Sequence, residues 1–277
     1  MKERNIFQVL TQTCRAFPDK PCLKFKTGFL DKTLTFAGLE AQVASLRFIL
    51  MRLGVKPGER VAILLSNAPY APAAFFAVTS IQAVAVLLDT QMRAPEVRRI
   101  VEDAGARVLL TEEKFGVSLG EIVTGLDHLK TLFLDRIYWS AGQRLTIEEE
   151  RRSFFGSDKL AALFYTSGTT QGDKAVMLTH ANLLADFEAI SRTGLLTSSD
   201  VVVSMLPLHH AYPFMSSCLA PLLAGATVCY VQSLIHYELF ACMRQNRATV
   251  FIGVPQLLSI LARTVAAKME TRPALVG

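Results

Sequence analysis

Two patterns of apolar and polar positions alternate along the chain. Short runs are apolar at nearly every position: RVAILLS (60–66), AVAVLLD (83–89), RVLLTEE (107–113), TLFLD (131–135), LAALFYTS (160–167), VVVSML (201–206), TVCYV (227–231) and TVFIG (249–253). They are too short for helices, and their lack of alternation fits strands covered on both faces, as in a parallel sheet. Between them lie segments with helical spacing. One runs from about Ala37 to Leu53 and stops at Gly54; another carries Val97, Ile100, Val101 and Ala104 on one face, with Pro95 near its start and Gly105 at its end. Helices are also predicted over 67–81, 181–194, 237–246 and 255–268. Strand, helix, strand in succession implies right-handed crossovers. The predicted class is α/β: two packed lobes of mostly parallel sheet flanked by helices.

Two uncharged stretches are long enough to test as membrane spans, Ala71 to Leu88 and Ala211 to Gln232. The first reads as a helix, a break near Ser80 and Gln82, then a strand. The second contains Pro213, Pro221 and Gly225 and reads as helix, turn, strand. The polar segment 136–158, with Trp139 and EEERR, is expected at the surface.

Hydrophobic residues make up 51% of the 277 positions, which favours a large buried core. Lys and Arg total 29 against 24 for Asp and Glu, without a like-charge run, which argues against a nucleic-acid surface. Cys14, Cys22, Cys218, Cys229 and Cys242 have neither zinc-type nor disulfide-framework spacing and fit a reduced, cytoplasmic setting. The N-terminus MKERNIFQVLTQTC lacks the apolar segment of a signal peptide.

The chemistry concentrates in FYTSGTTQGDKAVMLTH (164–180). A strand leads into hydroxyl residues, two glycines and a lysine, at the strand end where open α/β sheets hold ligands. Backbone N–H groups, hydroxyls and the Lys174 charge suit phosphate oxygens. The spacing is not that of a Walker A loop, and the same composition also makes an ordinary turn.

This segment closely resembles the phosphate-binding signature Y-T-S-G-T-T-G-x-P-K-G of the AMP-forming acyl-CoA synthetases, the adenylate-forming family. LPLHHAYPF (206–214), VFIGVPQLLSIL (250–261) and LTFAGLEAQVASL with GVKPGERVAILLSNAPY (34–46, 54–70) resemble further motifs in family order. The histidine-rich form looks most like the long-chain fatty acyl branch. The resemblance implies that a carboxylic acid attacks the α-phosphate of ATP, with Mg²⁺, to form an acyl-adenylate. The thiol of coenzyme A or an acyl carrier protein then displaces AMP. It implies that Thr166, Ser167, Gly168, Thr169, Thr170, Gly172 and Lys174 wrap the β- and γ-phosphates, with Thr170 toward the metal. His210 would lie near the α-phosphate and carboxylate as a catalytic residue beside Lys174. Phe214 would line or gate an acyl tunnel, and Gly253 and Pro255 would flank the adenylate. His209, Thr179 and His180 are read as structural or capping groups.

By the same resemblance, residues 1–277 form the N-terminal part of an adenylation domain. Its sublobes are expected at about 59–194 and at 1–58 with 195–277, and the C-terminal lid is absent. The implied location is cytoplasmic with peripheral membrane association. Gln171, Asp173 and Ala175 depart from the signature, and Gln82 stands where the family usually has glycine. These departures motivate an alternative, a non-catalytic acyl- or nucleotide-binding or regulatory protein on the same fold.

Overall fold

The computed structural model describes residues 4–27, 30–137, 155–166, 174–231 and 236–270. Asn5 caps α1 (Ile6–Ala16): its side chain accepts from the Gln8 N–H, and Gln8 returns the bond to the Asn5 N–H. β1 (Pro21–Thr27) pairs antiparallel with β2 (Leu30–Thr35), and Thr35 caps α2 (Phe36–Arg52). Then come β3 (Arg60–Ile63), α3 (Tyr70–Ser80), β4 (Val84–Leu87), α4 (Ala94–Ala104), β5 (Ala106–Thr111), α5 (Gly116–Val123) and β6 (Lys130–Phe133). The hairpin β7 (Leu160–Thr166) and β8 (Lys174–Thr179) leads into α6 (His180–Arg192) and β9 (Val201–Ser204). Last come α7 (Ala211–Phe214), a π turn (Met215–Leu219), α8 (Ala220–Ala224), β10 (Thr227–Tyr230), α9 (His236–Asn246), β11 (Val250–Phe251) and α10 (Pro255–Glu270).

Among the described residues the strands form two sheets, in the orders β11-β9-β10-β1-β2 and β6-β5-β3-β4-β7-β8. Each is parallel except for one antiparallel edge strand, β2 or β8. Ile63 and Leu110 of one sheet and Leu23 and Val228 of the other share a core with α1, α2, α3 and the α7–α8 helix, which lie between the sheets. The outer face of the six-stranded sheet is covered by α4 and α5 through Val97, Ile100 and Ile122. The outer face of the five-stranded sheet is covered by α9 and α10 through Leu239, Met243 and Leu257. Both sheets are thus covered on both faces, which is why their strands are apolar without alternation.

Each tested stretch divides as its breakers dictate. Ala71 to Leu88 becomes α3 and β4, with Gln82 turning the chain at φ 60°. In the second stretch the helix widens into the π turn just before Pro221, which has no N–H for the next helical bond. No helix among the described residues is long and apolar enough to cross a membrane. Gly105 ends α4 at φ 59°, and a Cβ there would stand 2.7 Å from Arg60 Nη2, so the helix stop and the packing both demand glycine.

α1, α5 and β1 were not expected as elements. β1 carries Leu23, Lys24, Phe25 and Lys26, an alternation too short to register against the apolar runs around it. The polar segment expected at the surface lies largely at 138–154, outside the described residues.

Candidate active site

The parallel strands of each sheet release their chain at one edge, and the two edges are joined by side chains from both. β3 runs on through Ser66 and Asn67, and the Asn67 amide donates to the Leu206 carbonyl, 2.9 Å away beyond β9. β4 ends at Asp89, whose Oδ2 is 3.5 Å from His209 Nε2. The same His209 nitrogen lies 3.1 Å from His210 Nε2, with the rings 4.1 Å apart. Carboxylate, half-buried imidazole and exposed imidazole therefore form a row from one sheet to the other. Burial holds the His209 pKa below its ordinary value; the Asp89 charge works against this and His210 adds to it.

Glu112, at the end of β5, fixes the turn after β3. It accepts from the Ser66 N–H at 2.5 Å, the Ser66 hydroxyl at 2.9 Å and the Tyr70 hydroxyl at 2.8 Å, with Lys114 Nζ at 3.1 Å. Burial alone would raise its pKa, but the bonds from Ser66 and Tyr70 and the Lys114 charge outweigh it and hold the carboxyl below its ordinary value. An ionised Glu112 thereby holds Ser66, and Ser66 precedes the Asn67 that reaches across to Leu206.

Thr166 and Lys174 are register partners at the ends of β7 and β8, so both ends of segment 167–173 leave from adjacent strands. Lys174 is exposed. Ser167, Gly168, Thr169, Thr170 and Gly172 lie outside the described residues, as do Gln171 and Asp173. β4 pairs with β7 through Leu87 and Phe164, and Asp89 and Thr166 each lie two residues beyond that pair. The signature segment thus leaves the sheet beside the Asp89–His209–His210 row.

Phe214 is 2% exposed, with its ring 4.6 Å from Phe75 and 5.7 Å from Phe164, both edge-on. It wedges α7 between the sheets behind the histidines. Gly253 and Pro255 follow β11, the neighbour of β9, and sit at the same sheet edge; Pro255 opens α10 and is exposed. The strand ends thus gather Thr166, Lys174, His210, Phe214, Gly253 and Pro255 along the two facing edges. Sequence reading overlooked Asp89, Asn67 and Glu112. Their signal was a polar residue ending an apolar run, visible in AVAVLLD and RVLLTEE. His180 is structural, as expected: it is fully buried, and its Nδ1 accepts from the Ile6 N–H at 3.4 Å.

The donor set fits an anionic ligand with its own cation: hydroxyls, backbone and a lysine, with no group of three His, Cys, Asp or Glu side chains among the described residues. Comparison with known proteins agrees. The feruloyl-CoA synthase of an Amycolatopsis species is 31% identical, over 83% of this chain and 45% of that relative. The N-terminal domain of FACL13 from Mycobacterium tuberculosis has the same fold, with a TM-score of 0.79 at 21% identity, over 93% of this chain and 64% of that one. The O-succinylbenzoate coenzyme A synthetase (MenE) of Bacillus subtilis, in complex with AMP, matches with a TM-score of 0.79 at 26% identity, over 98% of this chain and 66% of that one. The chain spans about half the length of the curated relatives it matches. The model of the family described as AMP-binding enzyme covers residues 10–275, and this chain belongs to that family.

Proposed function

We propose that the protein containing this chain activates a carboxylic acid with ATP, forming an acyl-adenylate and pyrophosphate, and passes the acyl group to a thiol, that of coenzyme A or an acyl carrier protein. The observation that carries this reading is the signature segment, flanked by the register-paired Thr166 and Lys174 and leaving the sheet beside the His209–His210 turn. Lys174, with Thr166, Ser167, Gly168, Thr169, Thr170 and Gly172, would hold the β- and γ-phosphates, and the Thr170 hydroxyl would hold Mg²⁺. Bound with the nucleotide, that ion supplies charge neutralisation at the phosphate oxygens. His210 donates toward the oxygens on which charge develops when carboxylate meets α-phosphate. His209 and Asp89 fix its ring. Phe214 forms the apolar floor of the acyl pocket, and Gly253 and Pro255 form its side.

For the acid, the sequence motifs support a long-chain fatty acid. A second reading, an aromatic acid, is favoured by the 31% identity to a feruloyl-CoA synthase. Membrane association belongs to the fatty acid reading, since a long-chain acid is drawn from lipid.

Calorimetric titration of the chain with Mg-ATP tests the nucleotide reading. Wild type should bind, and Lys174→Ala should weaken binding about tenfold or more. Equal affinities would refute the role of Lys174, and silence from both would favour a protein that has kept the fold without its nucleotide. ATP–pyrophosphate exchange by the full-length protein, with palmitate, ferulate and 4-hydroxybenzoate supplied separately, assigns the acid.

A further inference from the structure

Two thiols on the outer face of the five-stranded sheet take no part in the site described above. Cys229 sits within β10 and is 1% exposed, whereas Cys242, on the covering helix α9, is only partly buried against Val203, Val231 and Leu239. The two sulfurs are hydrogen-bonded to each other. Asn246, one turn further along α9, points its amide nitrogen at Cys242 Sγ from 3.6 Å. The parallel register sets Lys24 of β1 beside Cys229, with Lys26 two residues on. Asp31 of β2, the register partner of Lys26, is the carboxylate on this side.

These neighbours favour a thiolate at one sulfur and a thiol at the other. The bond from Cys229 draws the Cys242 pKa down to about 7; burial opposes it, Asn246 and Lys26 assist, and Asp31 works against them. That same bond, and then burial, keeps Cys229 protonated. Cys14, Cys22 and Cys218 are buried, and desolvation raises all three.

We propose that Cys242 and Cys229 form a peroxide-reactive dithiol, with Cys242 the nucleophile and Cys229 the resolving thiol. The Cys242 sulfur bonds to one oxygen of a hydroperoxide, the O–O bond breaks, and the other oxygen leaves as hydroxide or alkoxide. Cys242 is then a sulfenic acid. The Cys229 sulfur attacks it, the S–O bond breaks, and the departing oxygen takes up the Cys229 proton and leaves as water. Two electrons pass from the sulfurs to the peroxide, and the resulting disulfide fastens α9 to β10.

The test treats the purified chain with equimolar hydrogen peroxide, alkylates the remaining thiols and maps the peptides by mass. The expected product is a Cys229–Cys242 disulfide, reversed by a dithiol reductant, with Cys14, Cys22 and Cys218 still alkylated. In Cys229→Ser, oxidation should stop at a Cys242 sulfenic acid that dimedone traps, and Cys242→Ser should yield neither product. Alkylation of wild-type Cys242 should be half-maximal near pH 7, giving roughly tenfold more thiolate at neutral pH than an ordinary cysteine. Three results would overturn the proposal in wild type alone: Cys242 alkylated as readily after peroxide as before, a disulfide at other positions, or sulfinic acid at Cys242 with Cys229 still free.

Discussion

Acidification should loosen the junction between α1 and α6 through a single imidazole. His180 opens α6, is fully buried, accepts from the Ile6 N–H and packs edge-on against Phe155 at 5.1 Å. Its Nε2 has no hydrogen-bond partner. Desolvation pushes its pKa down to about 4, whereas in the unfolded chain it stands near 6.5. The folded value is the lower one, so the unfolded chain takes up the proton first. The His180 contribution is therefore complete above about pH 6.5, falls away as the pH drops toward 4, and is constant below. The shift of about 2.5 units at 1.36 kcal/mol each amounts to about 3 kcal/mol. Urea unfolding of wild type and His180→Asn at several pH values isolates this quantity. Asparagine keeps an acceptor for Ile6 and does not titrate, while carboxylate losses such as that of Glu112 are common to both proteins. Wild type should lose about 3 kcal/mol more than the variant between pH 6.5 and 4. Parallel stability curves, or an imidazole NMR resonance of folded His180 titrating near pH 6.5, would refute the reasoning.

Three further outcomes follow from the fold. Phe214→Ala should cost about 3–5 kcal/mol, read as a fall in thermal midpoint, because its ring fills the space between Phe75 and Phe164; a cost below about 1 kcal/mol would mean the ring faces an open tunnel. Gln82→Gly should raise the urea midpoint by about 1 kcal/mol of stability, since Gln82 holds φ 60° in the turn between α3 and β4; an unchanged or lower midpoint would show the strain to be absent. Asn67→Ala should leave the Leu206 carbonyl unmet and speed amide exchange across 206–214, and unaltered exchange there would deny that this bond holds the histidine turn.

Most strands were legible because burial on both faces leaves a run of apolar residues, and VVVSML or AVAVLLD admits little else. β1 escaped because Lys24 and Lys26 reach the polar margin of the outer face, so its code is half-exposed where its neighbours' is not. In the site, the motif residues could be found because loop chemistry is local in sequence. The row from Asp89 to His210 could not, since it joins the ends of strands in different sheets. Sequence reading took His209 for a structural group; its nitrogen is the middle link of that row. Gln82 shows the opposite case: the positive φ it must hold was foreshadowed by the glycine that relatives usually carry there.

The order of strands has a bearing on how the polypeptide is assembled. All six strands of one sheet lie in the continuous stretch 60–179, whereas β1, near the start of the chain, pairs in parallel with β10, joining Leu23 to Val228. Closing so long a connection in a flexible chain costs about 5 kcal/mol in entropy. Collapse of the intervening sheet shortens the effective connection, so the contiguous half is the natural template. The earliest hairpin off the ribosome is thus among the last to find its neighbour.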